Sequence, residues 1–224
     1  MIESQFFHED IICPVCFYEE PATKWTVINA TTDPDLKDRL LRKQILQQVC
    51  SNCGNVFRVL QPLLYLDPAA QLIIYCHPDR SARTIPDPII AEIPTLAGWT
   101  MRLVADANQL IEKIHIIDHH CDDRVMELIK LAILRQGSQL DPNGEAAATM
   151  ADLFFLTAND AAMRFMVKDA DRSWYSLDLE TQIYLNSEQL AEPFLNSKPA
   201  GWQIVGREQA EQLLQSLAEA QNPA

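Results

Sequence analysis

The chain has 224 residues, of which 48% are hydrophobic and 22% are charged, which is the balance of a globular protein and not of a disordered or fibrous one. Thirty-one acidic and 18 basic side chains give a net charge of −13, which repels phosphate backbones and argues against a general DNA-coating role. Neither a secretory leader pattern nor a run of about 18 apolar residues is found, so we expect a cytoplasmic protein that does not contact a membrane.

A short strand over residues 7–12 is predicted to run into the first of two cysteine pairs. The pairs are Cys13 with Cys16 and Cys50 with Cys53. Because disulfides are rare in a reducing cytosol, two spaced Cys-x-x-Cys pairs indicate a tetrahedral thiolate site, for which we expect zinc. Pro14 and Gly54 suit the tight turns that such a site needs. Iron in place of zinc, or four buried or redox cysteines, are the alternatives.

Residues 25–30 are rich in β-branched and aromatic side chains and predict a strand, after which a helix is expected. Asp33 can cap this helix and Pro34 suits its first position. An apolar stripe recurs at helical spacing: Leu36, Leu40, Leu41 and Ile45. The polar side carries four cations: Lys37, Arg39, Arg42 and Lys43. They suit nucleic acid or an acidic partner, but neighbouring aspartates dilute them and a solvated face is favoured.

Two strands are predicted after the second cysteine pair, over residues 56–67 and 72–76, with a turn around Pro68 between them. Cys76 and His77 follow, and we interpret them as a core thiol and a surface imidazole. The proline-rich residues 79–97 predict an extended connector. A strand is then expected over residues 101–105.

Two helices are predicted next, the first with Leu110, Ile111, Ile114 and Ile117 inward and the second from Asp122 or Asp123 to about Gly137. The junction between them holds several metal-ligand side chains: His115, His119, His120 and Asp122. On an unbroken helix the first two rings would face one way, which suits a second metal site. Helix ends also favour histidines and helix starts favour aspartates electrostatically, which is the alternative explanation.

The polar, turn-rich residues 137–145 predict a boundary between two lobes. Three short strands are expected beyond it, over residues 153–157, 163–168 and 174–178, followed by helices over residues 179–190 and 208–220. The sequence therefore predicts an α+β protein. We divide it into a zinc-ribbon-like domain with an inserted helix over residues 1–135 and an α+β lobe over residues 136–224.

The first 135 residues resemble the CpXC family of bacterial proteins. The shared residues are Cys13-Pro14-Val15-Cys16, Trp25, Asn29-Ala30, Asp33 to Lys37, Cys50, Cys53-Gly54, Pro62 to Asp67, Arg102 to Val104, Leu110 to Ile114, Asp122 to Arg124, Glu127-Leu128 and Lys130. Ser51 departs from the family, in which a second Cys-Pro is common, but the four cysteines are intact. The resemblance implies a zinc-ribbon-like site and no particular reaction.

Three functions are compatible with these features. The favoured one is a zinc-binding, non-catalytic protein-interaction or scaffold module, because four thiolates leave a metal no open coordination position. The alternatives are a nucleic-acid-binding zinc ribbon that uses the cationic helix, which the net charge disfavours, and a metal-dependent hydrolase centred on His115 and His119. A protein is the expected partner.

Overall fold

The computed structural model describes residues 2–59, 61–78, 98–140, 152–168, 173–195 and 201–221. Within these ranges the chain forms ten strands and five helices, which confirms the α+β class. It divides into two compact units, residues 1–111 with 200–203 and residues 112–199 with 204–224. The predicted connector at 79–97, and 141–145 of the turn-rich segment, lie outside the described residues.

The first unit is built on a mixed five-stranded sheet. Its strands are β1 (Gln5–Ile12), β2 (Glu19–Asn29), β5 (Leu63–Asp67), β6 (Leu72–Cys76) and β7 (Thr100–Val104), in the order β1-β2-β5-β6-β7. β5 and β6 are buried throughout, as expected of central strands with continuous apolar sequences. β2 runs parallel to β5, and β6 runs parallel to β7. Gln203 returns from far along the chain to bond to β7, where the N–H of Leu103 donates to its carbonyl over 2.8 Å.

Between β2 and β5 lie helix α1 (Pro34–Leu41) and a small hairpin of β3 (Gln47–Val49) and β4 (Val56–Arg58). The expected single strand over residues 56–67 is wrong, because β4 ends at Arg58 and β5 begins at Leu63. Pro62 stands between them and has no N–H to donate to a ladder.

Helix α1 begins and ends differently from the prediction. Asp33 stands at the N-cap position, but its carboxylate makes no cap hydrogen bond and instead accepts from the hydroxyls of Ser4 and Thr32, at 2.6 and 2.8 Å. The helix ends at Leu41 because Lys43 adopts a left-handed φ of 62°. Ile45, assigned to the helical stripe from its spacing, therefore lies outside the helix.

Most of β1 and β2 forms a two-stranded ribbon that extends beyond the sheet, since only Val27–Asn29 of β2 pair with β5. Seven of the eight residues of β1 are exposed. One hydrophobic cluster of this unit consists of Val27, Leu64, Leu66, Ile73, Tyr75 and Met101. It contains no residue of β1, β3 or β4, so burial of apolar surface contributes little to these strands.

The second unit combines four helices with a three-stranded antiparallel meander. Helix α2 (Ala107–Asp118) enters it at residue 112, and the other elements are α3 (Asp123–Leu140), β8 (Asp152–Ala158), β9 (Ala162–Lys168), β10 (Trp174–Glu180), α4 (Thr181–Leu195) and α5 (Arg207–Gln221). The sheet order is β10-β9-β8, which confirms the predicted meander. Its core packs the meander against the helices, through residues such as Ile116, Val125, Met126, Phe155 and Phe165.

Two details of the second unit differ from the prediction. Helix α3 continues past Gly137 to Leu140, because a single glycine costs a helix only about 1 kcal/mol and does not have to end it. Ile116 is fully buried, whereas Ile117, predicted to point inward, is only half-buried. The division into domains at residues 135 and 136 stays a prediction, because a compact unit need not coincide with a segment that folds alone.

A network of buried charges lies in the second unit. Glu112, Lys113, Asp123 and Glu127 are each at least nine-tenths buried, and Lys130 is 13% exposed. The ammonium of Lys113 lies 3.1 Å from the carboxylate of Asp123 and 3.0 Å from that of Glu127. Lys130 joins Glu127 to Glu112, at 3.2 and 2.9 Å. Glu112 also accepts the N–H of Phe155 at 2.8 Å, which ties the helices to β8.

No helix in the described part of the chain is both long enough and apolar enough to cross a membrane.

Candidate metal centre

The first cysteine pair lies in a tight turn at the tip of the β1–β2 ribbon. The N–H of Cys13 donates to the carbonyl of Tyr18 over 2.9 Å, and the N–H of Phe17 donates back to the carbonyl of Cys13 over 3.0 Å. Phe17 adopts a left-handed φ of 57°, which is uncommon for an aromatic residue. These bonds close the loop so that Cys13 and Cys16 present their sulfurs together.

The second pair lies in a turn of the same kind, which joins β3 to β4. The N–H of Cys50 donates to the carbonyl of Asn55 over 2.9 Å, and the N–H of Gly54 donates to the carbonyl of Cys50 over 2.9 Å. Gly54, with a φ of 71°, occupies the position that Phe17 occupies in the first turn. The chain therefore contains two copies of one knuckle turn, each of which carries one of the two cysteine pairs.

The two knuckles make a matched test of backbone strain. A Cβ built on Gly54 meets no atom within 4 Å, so Gly54→Ala should destabilise the first unit by conformational strain alone, by about 1 kcal/mol. Phe17→Gly should stabilise the first unit by up to about 1 kcal/mol, because glycine adopts a left-handed φ without strain. The exposed ring of Phe17 buries little surface, so little is lost when it is removed. Urea unfolding of the two variants measures both changes, and equal shifts of the same sign would contradict this assignment.

The four sulfurs converge at distances that suit a single metal ion. Cys13 Sγ lies 3.7 Å from Cys53 Sγ, Cys16 Sγ lies 3.5 Å from Cys50 Sγ, and all four lie within 4.8 Å of one another. Zn–S bonds of about 2.3 Å in a tetrahedron place the sulfurs about 3.8 Å apart. None of the four cysteines forms a disulfide. The arrangement therefore fits a tetrahedral thiolate-bound cation.

Backbone amides of the first knuckle stabilise negative charge on its two sulfurs. The N–H of Cys16 donates to Cys13 and lowers the pKa of that thiol. The N–H of Tyr18 and the side chain of Asn52 donate to Cys16 and lower its pKa to about 6. Such N–H donors are what a thiolate cluster needs, since four thiolates around a divalent ion leave a formal charge of −2.

The two thiols of the second knuckle have raised pKa values. Burial raises the pKa of Cys50. The N–H of Asn55 lowers the pKa of Cys53, but the neighbouring sulfurs, Cys16 foremost, and desolvation outweigh it and raise the pKa to about 12. In the absence of metal, the second pair therefore holds its protons more tightly than the first.

Glu20, near the start of β2, contacts the second knuckle, and no sequence motif indicated this contact. Both of its carboxylate oxygens accept the N–H of Ser51, at 3.3 and 3.2 Å. Lys24, on the same strand, pairs with Glu9. Cys13 and Cys50 are buried while Cys53 is exposed, so the centre opens to solvent on one side.

The remaining metal-ligand candidates are not assembled into a second site. In the ranges that the structure covers, the four cysteines are the only group of three or more His, Cys, Asp or Glu side chains close enough to hold an ion. His119 uses both ring nitrogens, since Nδ1 donates to the carbonyl of His115 over 2.8 Å and Nε2 accepts the hydroxyl of Thr157 over 3.0 Å. The carboxylate of Asp122 is held by Arg124 at 2.6 Å. His120 joins no such group.

Cys76 and Cys121 are both buried, and neither belongs to the group of four cysteines. Burial raises the pKa of Cys76 to about 12 and that of Cys121 to about 11, so both are neutral thiols at physiological pH.

Three of the four cations predicted on the first helical segment are engaged within the first unit. Lys37 pairs with Asp67 at 3.1 Å, and Arg42 pairs with Asp38 at 2.8 Å. Lys43 donates to the amide oxygen of Asn108 over 2.7 Å. These contacts reduce the positive charge that this segment can offer to phosphates.

Comparison with known proteins agrees with the geometry of the knuckles. A family model described as CpXC protein matches residues 11–130, more than half of the chain. The matched segment contains all four knuckle cysteines and the five charges of the buried network. No curated protein matches the chain, and no solved structure does.

Proposed function

The chain belongs to the CpXC family, and we propose that Cys13, Cys16, Cys50 and Cys53 bind one zinc ion. In this proposal the metal is structural, and the protein is a non-catalytic module that binds another protein. The observation that carries it is the convergence of four sulfurs, from two equivalent knuckles, at the spacing of a tetrahedral site.

The need for a metal follows from the weakness of the strands that carry the cysteines. An isolated two-stranded hairpin is marginal in water. The hydrophobic cluster that Val27 of β2 joins contains no residue of β1, β3 or β4, and these three strands are mostly exposed. Metal binding supplies folding free energy directly in such small units. One ion bound by both knuckles would join these two hairpins.

A structural metal also accounts for the non-catalytic assignment. Catalysis by zinc needs a position that water or substrate can take, and four cysteine ligands fill a tetrahedral shell. The histidines that suggested a hydrolase contribute hydrogen bonds within the second unit instead. The nucleic-acid alternative is weakened by the net charge of −13 and by the intramolecular contacts of the cationic segment.

Elemental analysis combined with calorimetry tests the metal. We expect one zinc ion per chain, and iron in its place would contradict the zinc assignment. Because Cys50 and Cys53 have raised pKa values, they are protonated at pH 7 without metal, and binding through four thiolates must release at least these two protons. Affinity should therefore fall as the pH is lowered. Titration in buffers of different ionisation enthalpy counts the protons, and binding without proton release would contradict thiolate ligation.

A further inference from the structure

A stretch of exposed apolar side chains surrounds the metal centre. In β1 and the first knuckle these are Phe6, Phe7, Ile12, Val15, Phe17 and Tyr18, which we call the ribbon surface. Val15 is 63% exposed and Phe17 is 78% exposed. Large apolar side chains exposed singly need no explanation, but six within thirteen consecutive residues are typical of a binding surface.

The ribbon surface includes the open edge of a sheet. Within the described parts of the chain, β1 pairs with β2 and has no strand on its other side. It is eight residues long and contains no proline. An edge strand of this kind offers unpaired backbone groups to an extended peptide, and its side chains alternate between two faces and can select the residues of that peptide.

The charge of this part of the chain indicates the chemistry of the partner that it would bind. Residues 1–20 contain five acidic side chains and no Lys or Arg. Asp10 and Glu19 lie on the ribbon and are exposed. A zinc ion with four thiolates adds further negative charge at the tip of the ribbon. An acidic, partly apolar edge is complementary to an extended segment that alternates cationic and apolar residues.

We propose that the ribbon surface binds a basic, apolar, extended segment of a partner protein by strand addition along β1. This inference rests on the proposed function, because the metal holds the ribbon that presents β1. The same charges argue against the other occupants. Phosphates of a nucleic acid would be repelled, and a second copy of this chain would bring one acidic ribbon against another.

A synthetic probe tests the proposal on the full-length, zinc-loaded chain. The probe is a labelled ten-residue peptide that alternates Lys and Val. One control peptide alternates Glu and Val, and another carries prolines that prevent strand pairing. We expect the Lys–Val peptide to bind at least about tenfold more tightly than either control. Its binding should slow hydrogen exchange of the amides of Gln5–Ile12.

Matched variants locate the binding site. Asp10→Lys combined with Glu19→Lys should weaken peptide binding about tenfold, whereas Asp160→Lys with Glu219→Lys makes the same change of net charge in the second unit and should leave it unchanged. Phe17→Asn should also weaken binding about tenfold, because Asn tolerates the left-handed φ but removes the exposed ring.

Several results would overturn the inference. Equal binding of the Lys–Val and Glu–Val peptides would remove the charge argument, and failure of both peptides to bind would remove the docking surface. Binding of an oligouridine that the Asp10 and Glu19 changes alter would assign the surface to nucleic acid. Dimerisation that protects the β1 amides would assign it to a second copy. Zinc is measured on the same sample, which separates the two proposals. A chain without metal contradicts the proposed function. A zinc-loaded chain that does not bind the peptide contradicts only this inference.

Discussion

Replacing Cys50 with serine is expected to abolish stoichiometric zinc binding and to unfold the β1–β2 ribbon and the β3–β4 hairpin. β1, β3 and β4 contribute no residue to the hydrophobic cluster around Val27 and are mostly exposed, so in the proposed function the metal is their main support. Structural zinc sites contribute on the order of 10 kcal/mol to the folding of small zinc-binding units. β5 and β6 are buried throughout and should keep their structure.

Hydrogen exchange with mass spectrometry measures this local unfolding. Amides of β1, β3 and β4 should lose protection in the Cys50→Ser variant, and amides of β5, β6 and the second unit should retain it. Cys121→Ala is the matched control, because it removes a thiol of the second unit that does not belong to the group of four cysteines and should leave one zinc ion per chain. Retained zinc and unchanged protection in the Cys50→Ser variant would show that the knuckles do not bind the metal.

Replacing Lys113 with methionine is expected to cost about 3–5 kcal/mol of unfolding free energy, because it leaves buried carboxylates without their cation. Lys113 is in contact with both Asp123 and Glu127. Burial by itself would lower the pKa of Lys113, but the surrounding carboxylates outweigh it and raise the pKa to about 12. The stabilisation that the ammonium provides is therefore present at neutral pH and is lost as the pH rises through about 12.

Urea denaturation at neutral pH measures the cost of the Lys113→Met substitution. Arg164→Met is the matched control, since Arg164 forms an exposed pair with Asp178 at 2.7 Å on the meander. Breaking an exposed pair should cost at most about 1 kcal/mol. If the two substitutions have equal effects, the buried network does not stabilise the second unit.

Features set by local chemistry could be predicted from the sequence. The spacing of the cysteines, with Pro14 and Gly54, predicted two knuckles that bring their sulfurs together, because a knuckle turn depends on a few adjacent residues. The meander of β8, β9 and β10 was also predicted, since its strands follow one another with short turns. The left-handed φ of Phe17 could not be predicted, because a bulky side chain disfavours that backbone conformation.

Features set by distant contacts could not be predicted from the sequence. The parallel pairing of Val27 with Leu64 and of Leu72 with Thr100 joins segments that carry no signal for each other. The buried charges are a second case. Glu112 and Lys130 look like solvent-exposed helix residues in the sequence, and only the packing of their helices makes them partners.

The hydrogen bond between Gln203 and β7 can form only late in the synthesis of the chain. Leu103 and Gln203 are hydrogen-bonded but lie 100 positions apart (203 minus 103), and most of the second unit is encoded between them. Ribosomes add about 5–20 residues each second, so roughly 5–20 s pass between the synthesis of Leu103 and that of Gln203. Throughout that interval a nascent chain carries an unfinished sheet edge, whose unpaired backbone groups can pair with a strand of another chain.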